Sequence, residues 1–139
     1  MAKTVLRYED EEFSFLLIGI STTYADFRLC GEINKALDIS LERVEDYTIH
    51  NQKSEEELSF PFFSYSNDQE DSYHVIGNKS IRGLLIPEQK SLDYFLLIKQ
   101  GQSHIDAAET ARQLKPIRLI QAAFILDPYK LKSKENLLF

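Results

Sequence analysis

The residues of this chain best placed to do chemistry are Glu88, Asp93 and Tyr94. They stand within one nonapeptide, Ile86-Pro87-Glu88-Gln89-Lys90-Ser91-Leu92-Asp93-Tyr94. Pro87 forces its predecessor toward an extended conformation and withholds a backbone donor, so the chain is expected to turn there and return as a strand at Leu92. Two carboxylates would then bracket a tight connection, close enough to hold a ligand in a cleft or to cap backbone amides. Capping needs nothing beyond folding. An aspartate that opens a buried strand must be hydrogen-bonded or near solvent, because burying it unpaired costs several kcal/mol.

Elsewhere the reactive side chains are scattered. His50, His74 and His104 fall in separate elements without metal-ligand spacing, so a metal site would require the fold to gather them with a carboxylate such as Glu32 or Asp93. No metal is expected. Cys30 shares an apolar stripe with Phe27 and Ile33, which predicts a buried, inert thiol. The acidic runs Glu9 to Glu12, Glu55 to Glu57 and Asp68 to Asp71 lack the Asp-x-Asp-x-Asp-Gly rhythm of a calcium loop and read as solvating loops. Only five glycines are present, none in a phosphate-cradling loop, and neither Gly-x-Ser-x-Gly nor His-Glu-x-x-His occurs. No cofactor is called for.

Positioning these residues falls to one domain spanning 1–139. With 139 residues and 43% hydrophobic content, a single core suffices. Sixteen Lys and Arg against 22 Asp and Glu leave a net charge of −6, which disfavours a phosphate backbone as partner. One cysteine cannot form an internal disulfide, which fits a reducing cytoplasm. Glu9-Asp10-Glu11-Glu12 interrupts what would be the apolar region of a secretory leader, and the apolar stretches are too short to span a bilayer, so no membrane segment is expected.

The pattern predicts an α+β fold. A strand runs from Phe13. A helix capped near Thr23 carries Phe27, Cys30, Ile33 and Leu37 on one stripe. A second strand is expected over Ile39 to Ile49, then a solvated loop at Glu55 to Glu57 and a hairpin from Leu58 to Ile76 with Pro61 at a sheet edge. Leu92 to Ile98, the longest β-prone apolar run, reads as a central strand. A short helix capped by Ser103 ends before Pro116, and Ile117 to Leu126 forms the last strand. Together these give an antiparallel or mixed sheet of about six strands with two main helices packed on one face.

Residues 128–139 read as a C-terminal tail that pairs spaced lysines with an apolar end, Leu137, Leu138 and Phe139. Those three could dock on the domain's own core or bury apolar area in a second copy or another protein, so they are candidate interface residues.

Ile86-Pro87-Glu88 with Leu92-Asp93-Tyr94 resembles the signature for which the bacterial IPExxxVDY family is named, Leu92 standing in place of its valine. The closing Leu131-Lys132-Ser133-Lys134-Glu135-Asn136-Leu137-Leu138-Phe139 is similar to that family's ending, and the length agrees. The resemblance covers most of the chain, yet it implies no activity, ligand or catalytic residue. The preferred expectation is a non-enzymatic binding or interaction module, self-associating through a sheet edge or the tail. The alternative is a small enzyme or ligand sensor using Glu88, Asp93 and Tyr94 in a cleft. Nucleic-acid binding would need Lys130, Lys132 and Lys134 to extend a basic face found elsewhere.

Overall fold

The computed structural model describes residues 12–51 and 56–139; of the acidic runs, residues 9–11 and 55 lie outside them. Along the chain come β1 (Leu16–Thr22), α1 (Asp26–Leu37), β2 (Glu42–Arg43), β3 (Tyr47–Asn51), β4 (Glu56–Phe60), β5 (Phe62–Ser66) and β6 (Ser72–Gly77). Then follow β7 (Lys79–Ser80), β8 (Gly83–Leu84), β9 (Tyr94–Lys99), α2 (Ala107–Leu114) and β10 (Ile120–Leu126). Six strands form one sheet in the order β10-β1-β9-β6-β5-β2, and every neighbouring pair is antiparallel. β3 with β4, and β7 with β8, make two small ribbons.

Alternation along β1 and β9 explains why these strands read as continuous apolar runs. Ile18, Ile20, Leu96 and Ile98 point to one face of the sheet, where Leu29, Cys30 and Ile33 of α1 and Ala111 and Leu114 of α2 close the first core. Leu17, Phe95 and Leu97 point to the other, against Leu58, Phe60, Leu85, Ile86, Leu92, Leu131 and Leu137. Both faces are covered, so polar alternation has no place in these strands. Gly19 of β1 makes room for the second cover, since the Leu92 side chain stands where a Cβ would lie.

Beyond Leu58 and Phe60 of β4, the second cover is largely irregular chain, and one buried side chain organises its stretch from Leu85 to Leu92. Asn78 is fully buried at the end of β6. Its Nδ2 donates to the carbonyls of Gln89 (2.9 Å) and Leu92 (2.8 Å), while its Oδ1 accepts from Ile86 N–H (2.8 Å). Its backbone donates to Asp93 O and accepts from Leu85 N–H, each at 2.9 Å. Three backbone groups of an irregular loop are thereby satisfied in the core, as buried backbone groups require.

Several elements differ from expectation. The single strand predicted over Ile39 to Ile49 is two, β2 and β3, which belong to different sheets. Glu56 and Glu57 begin β4 rather than a loop, and Pro61 separates β4 from β5 instead of lying within one hairpin arm. Helix α1 has Ala25 at its N-cap and so no side-chain cap, and Phe27 is 66% exposed because the buried stripe is Leu29, Cys30 and Ile33. Asp106, not Ser103, caps α2 by accepting from Ala108 N–H. Asp71 is no solvating residue: it is buried, accepts from Gly101 and Ser103 N–H, and ties the β5–β6 loop to the chain leaving β9.

Asn78→Ala should lower the unfolding free energy by about 3–5 kcal/mol, because Ile86 N–H and two carbonyls lose their partners inside the core. Urea denaturation checks this, and a loss under about 1 kcal/mol would contradict it.

Candidate functional site

Asp93 lies just before β9 and prolongs its ladder with β1. Its N–H donates to Ile20 O (2.8 Å), and its Oδ2 accepts from Thr22 N–H (2.9 Å), where the register of β1 against β10 shifts. Its Oδ1 faces Lys79 Nζ at 2.7 Å. Thr22 Oγ1 donates to Leu119 O (2.7 Å) and accepts from Tyr24 N–H (3.1 Å), so Asp93 belongs to a network that fixes where β10 and α1 start. Tyr94 donates its hydroxyl to Tyr24 O (3.4 Å). Burial, then the charges of Asp26, Cys30 and Asp93, push its pKa up to about 12, so it keeps its proton at neutral pH. Thr22, Tyr24, Lys79, Asp93 and Tyr94 line a cleft of about 150 Å³, room for a few heavy atoms.

Glu88 is not in that cleft. Its carboxylate reaches the tail, accepting from Ser133 N–H (2.7 Å) and from Ser133 Oγ (2.9 Å). Ser133 opens the 3-10 turn Lys134–Leu137. Burial raises the Glu88 pKa, but the hydrogen bonds from the Ser133 backbone, its own backbone, the Ser133 hydroxyl and the Lys132 backbone outweigh it and leave the carboxyl below its usual value. The expected bracketing of one connection by two carboxylates is therefore not what forms: each oxygen of Glu88 and Asp93 engages the chain itself, at two separate places.

The tail is part of the domain. Asn136 Nδ2 donates to Leu85 O (2.8 Å), and Tyr47 donates its hydroxyl to Asn136 O (2.6 Å). Leu137 is fully buried, Leu138 half-buried, and Phe139 packs on Phe62, His74 and Tyr47 with ring centroids 5.0, 5.0 and 5.2 Å away. Leu137 is thus spent on the core and offers no surface to a partner. Lys99 holds its ammonium 4.5 Å over the Phe139 ring and donates to Phe139 O (2.5 Å). A cleft of about 570 Å³ lies beside this contact, between Phe15, Lys99, Gln100 and Leu138.

His74 stacks on Phe62 and bonds Ser64 Oγ (2.8 Å) and Ser72 Oγ (3.1 Å). Burial, and then Lys99, push its pKa down to about 4, so its imidazole is neutral. Cys30 is buried as expected, and burial followed by the charge of Asp26 raises its thiol to about 12. Among the described residues no group of three His, Cys, Asp or Glu side chains could hold a metal ion. No helix among them is long and apolar enough to cross a membrane.

Residues not singled out from sequence carry much of this geometry, namely Asn78, Lys79, Thr22 and Ser133. Thr22 had a legible signal, a run of hydroxyls between strand and helix, whereas the partners of Asn78 and Ser133 lie too far along the chain for any local pattern to mark them. Comparison with family models, with curated proteins and with solved structures finds no match to this chain.

Acid should weaken the fold in two stages. Neutral His74 has a folded pKa below its unfolded value, so its contribution is complete above about 6.5 and is lost as pH falls toward about 4. Asp71, whose pKa is lowered first by the Ser103 hydroxyl and then by backbone and Asn67 hydrogen bonds despite its burial, and Glu88 have folded pKa values below their unfolded ones. Their contributions are complete above an unfolded value of about 4 and vanish as pH falls through the folded ones. Urea midpoints should drop between pH 7 and 5 in the parent and much less in His74→Gln, while both drop further toward pH 3; equal parent midpoints at pH 7 and 5 would contradict this.

Proposed function

We propose that this chain is a non-enzymatic protein-interaction module of the IPExxxVDY family, working in the cytoplasm. The observation that carries the reading is that both oxygens of Glu88 and both of Asp93 are engaged by the chain's own groups. Each of these four oxygens already has a partner within the chain, which favours a bracing role over a catalytic one. Tyr94, with its raised pKa, is no readier to give up a proton. Membership of the family draws support from the bond between Glu88 and Ser133, which joins the two segments on which the resemblance rests. An interaction role draws support from large apolar side chains left in solvent, Phe124 and Ile125 at one sheet edge and Ile81 at the tip of the β7–β8 ribbon.

Two measurements test the brace against a ligand site. Asp93→Asn retains an acceptor for Thr22 N–H and should cost less than about 1 kcal/mol, whereas Asp93→Ala should cost about 1–3 kcal/mol. An NMR titration of the labelled chain with small carboxylates, phosphates, nucleotides and sugars should leave the amides of Thr22, Lys79, Asp93 and Tyr94 unmoved. Saturable shifts at those amides would replace the interaction module with a ligand sensor or enzyme.

A further inference from the structure

The second face of the sheet changes character toward one end. Its positions on β5, β6 and β9 are apolar at Phe62, Ile76, Phe95 and Leu97 and polar at Ser64, Ser72, His74 and Lys99. The Phe139 ring covers that polar end: it meets His74 at 79°, centroids 5.0 Å apart, and carries the Lys99 ammonium 4.5 Å over it. One ring is thus shared between an imidazole and a cation. His74 faces Phe62 and Ser64 from β5, Ser72 from its own strand, Leu97 and Lys99 from β9 and Phe139 from the tail, with Tyr47 of β3 against both Phe62 and Phe139. Lys99 is the charge that acts on it, and a like charge opposes an imidazolium. Burial raises the Tyr47 phenol, which keeps its proton in acid. Glu12, which lines the cleft beside Lys99 and Phe139, has the opposite sign, yet the balance at His74 stays against the charged form.

We propose that proton uptake by His74 lifts the Phe139 ring off the sheet while the rest of the domain stays folded, so that the end of the tail is an acid-opened latch over Tyr47, Phe62 and His74. This goes beyond the interaction-module reading and does not depend on it. An imidazolium under Phe139 is kept from water and set near a second cation. Once the ring lifts, water reaches His74, and Lys99 is released from the Phe139 ring and carbonyl that hold it. The ring can leave without the rest of the tail, because its neighbours are fastened elsewhere: Leu137 lies in the core, and Asn136 bonds Leu85 O and the Tyr47 hydroxyl. With the ring docked, the His74 pKa of about 4 lies below the ordinary 6.5, so docking is strongest above about 6.5 and weakens as pH falls toward about 4. Lifting that restored the ordinary value in full sets the upper limit, docking about 20-fold weaker at pH 5 than at pH 7.

An NMR titration of the full chain from neutral pH into acid tests the latch. The Phe139 ring signals should move toward those of an unstructured phenylalanine with the midpoint of the His74 titration, while the amides of Ile76, Phe95 and Leu97 keep their folded positions. Phe139→Ala, its folding checked by circular dichroism, should raise the His74 midpoint by about 1 pH unit or more, and Lys99→Met should raise it by less. In His74→Gln the Phe139 signals should no longer follow pH over this range. The proposal is overturned by Phe139 signals that stay folded through the His74 titration, by sheet amides lost along with them, or by a His74 midpoint that does not move when the Phe139 ring is removed. The first two results are read on the parent chain, so they decide the matter even where a variant fails to fold.

Discussion

A side chain with two donors and one acceptor, placed where no water reaches, has to find three partners, and Asn78 finds them in the backbone of a loop that has no regular structure of its own. Apolar packing alone could press Leu85, Ile86 and Leu92 against the sheet in many arrangements. The amide favours the one observed, in which the course of the chain from Leu85 to Asp93 brings Ile86 N–H, Gln89 O and Leu92 O to the same buried point. Everything on the second face then follows from that course. Leu92 fills the space above Gly19, Leu85 O is left for Asn136, and Glu88 emerges where Ser133 can meet it.

The tail is therefore held by the nonapeptide, and the nonapeptide by Asn78. Leu137 completes the core, and the Phe139 ring closes an aromatic group with Tyr47, Phe62 and His74. The proline and apolar residues of the nonapeptide shape the loop, Glu88 fastens the tail, and Asp93 extends the β1–β9 ladder into the junction where β10 begins. Glu88, Asp93 and Tyr94 are thus engaged by the fold. Among the described residues, large apolar side chains stay in solvent at the far edge, Phe124 and Ile125 of β10, and at Ile81.

What could be read from the sequence was what depends on neighbours close in the chain. The run from Leu92 to Ile98 announced a central strand because both faces of β9 are covered, and the helical spacing of Cys30 and Ile33 marked α1. An α+β fold with an antiparallel or mixed sheet and both helices on one face followed from such patterns, and the sheet is antiparallel. Phe27 does not share the buried stripe because three-residue spacing alone does not say which side of a helix a residue takes; it packs edge-to-face with Phe63, the ring centroids 5.4 Å apart. The splitting of β2 from β3 and the second cover had no local mark. Glu88 and Ser133 are 45 residues apart, and the burial of Leu137 depends on a face that exists only after the loop has closed.

Native-state hydrogen exchange measures the dependence of tail and loop on Asn78 most directly. The amides of Leu85, Ile86 and Ser133 should exchange with the same opening free energy as those in β1 and β9, and in Asn78→Ala all three should lose protection together. Rapid exchange of the three amides in the parent chain, with the sheet still protected, would show that the loop and tail are not built into the fold at all.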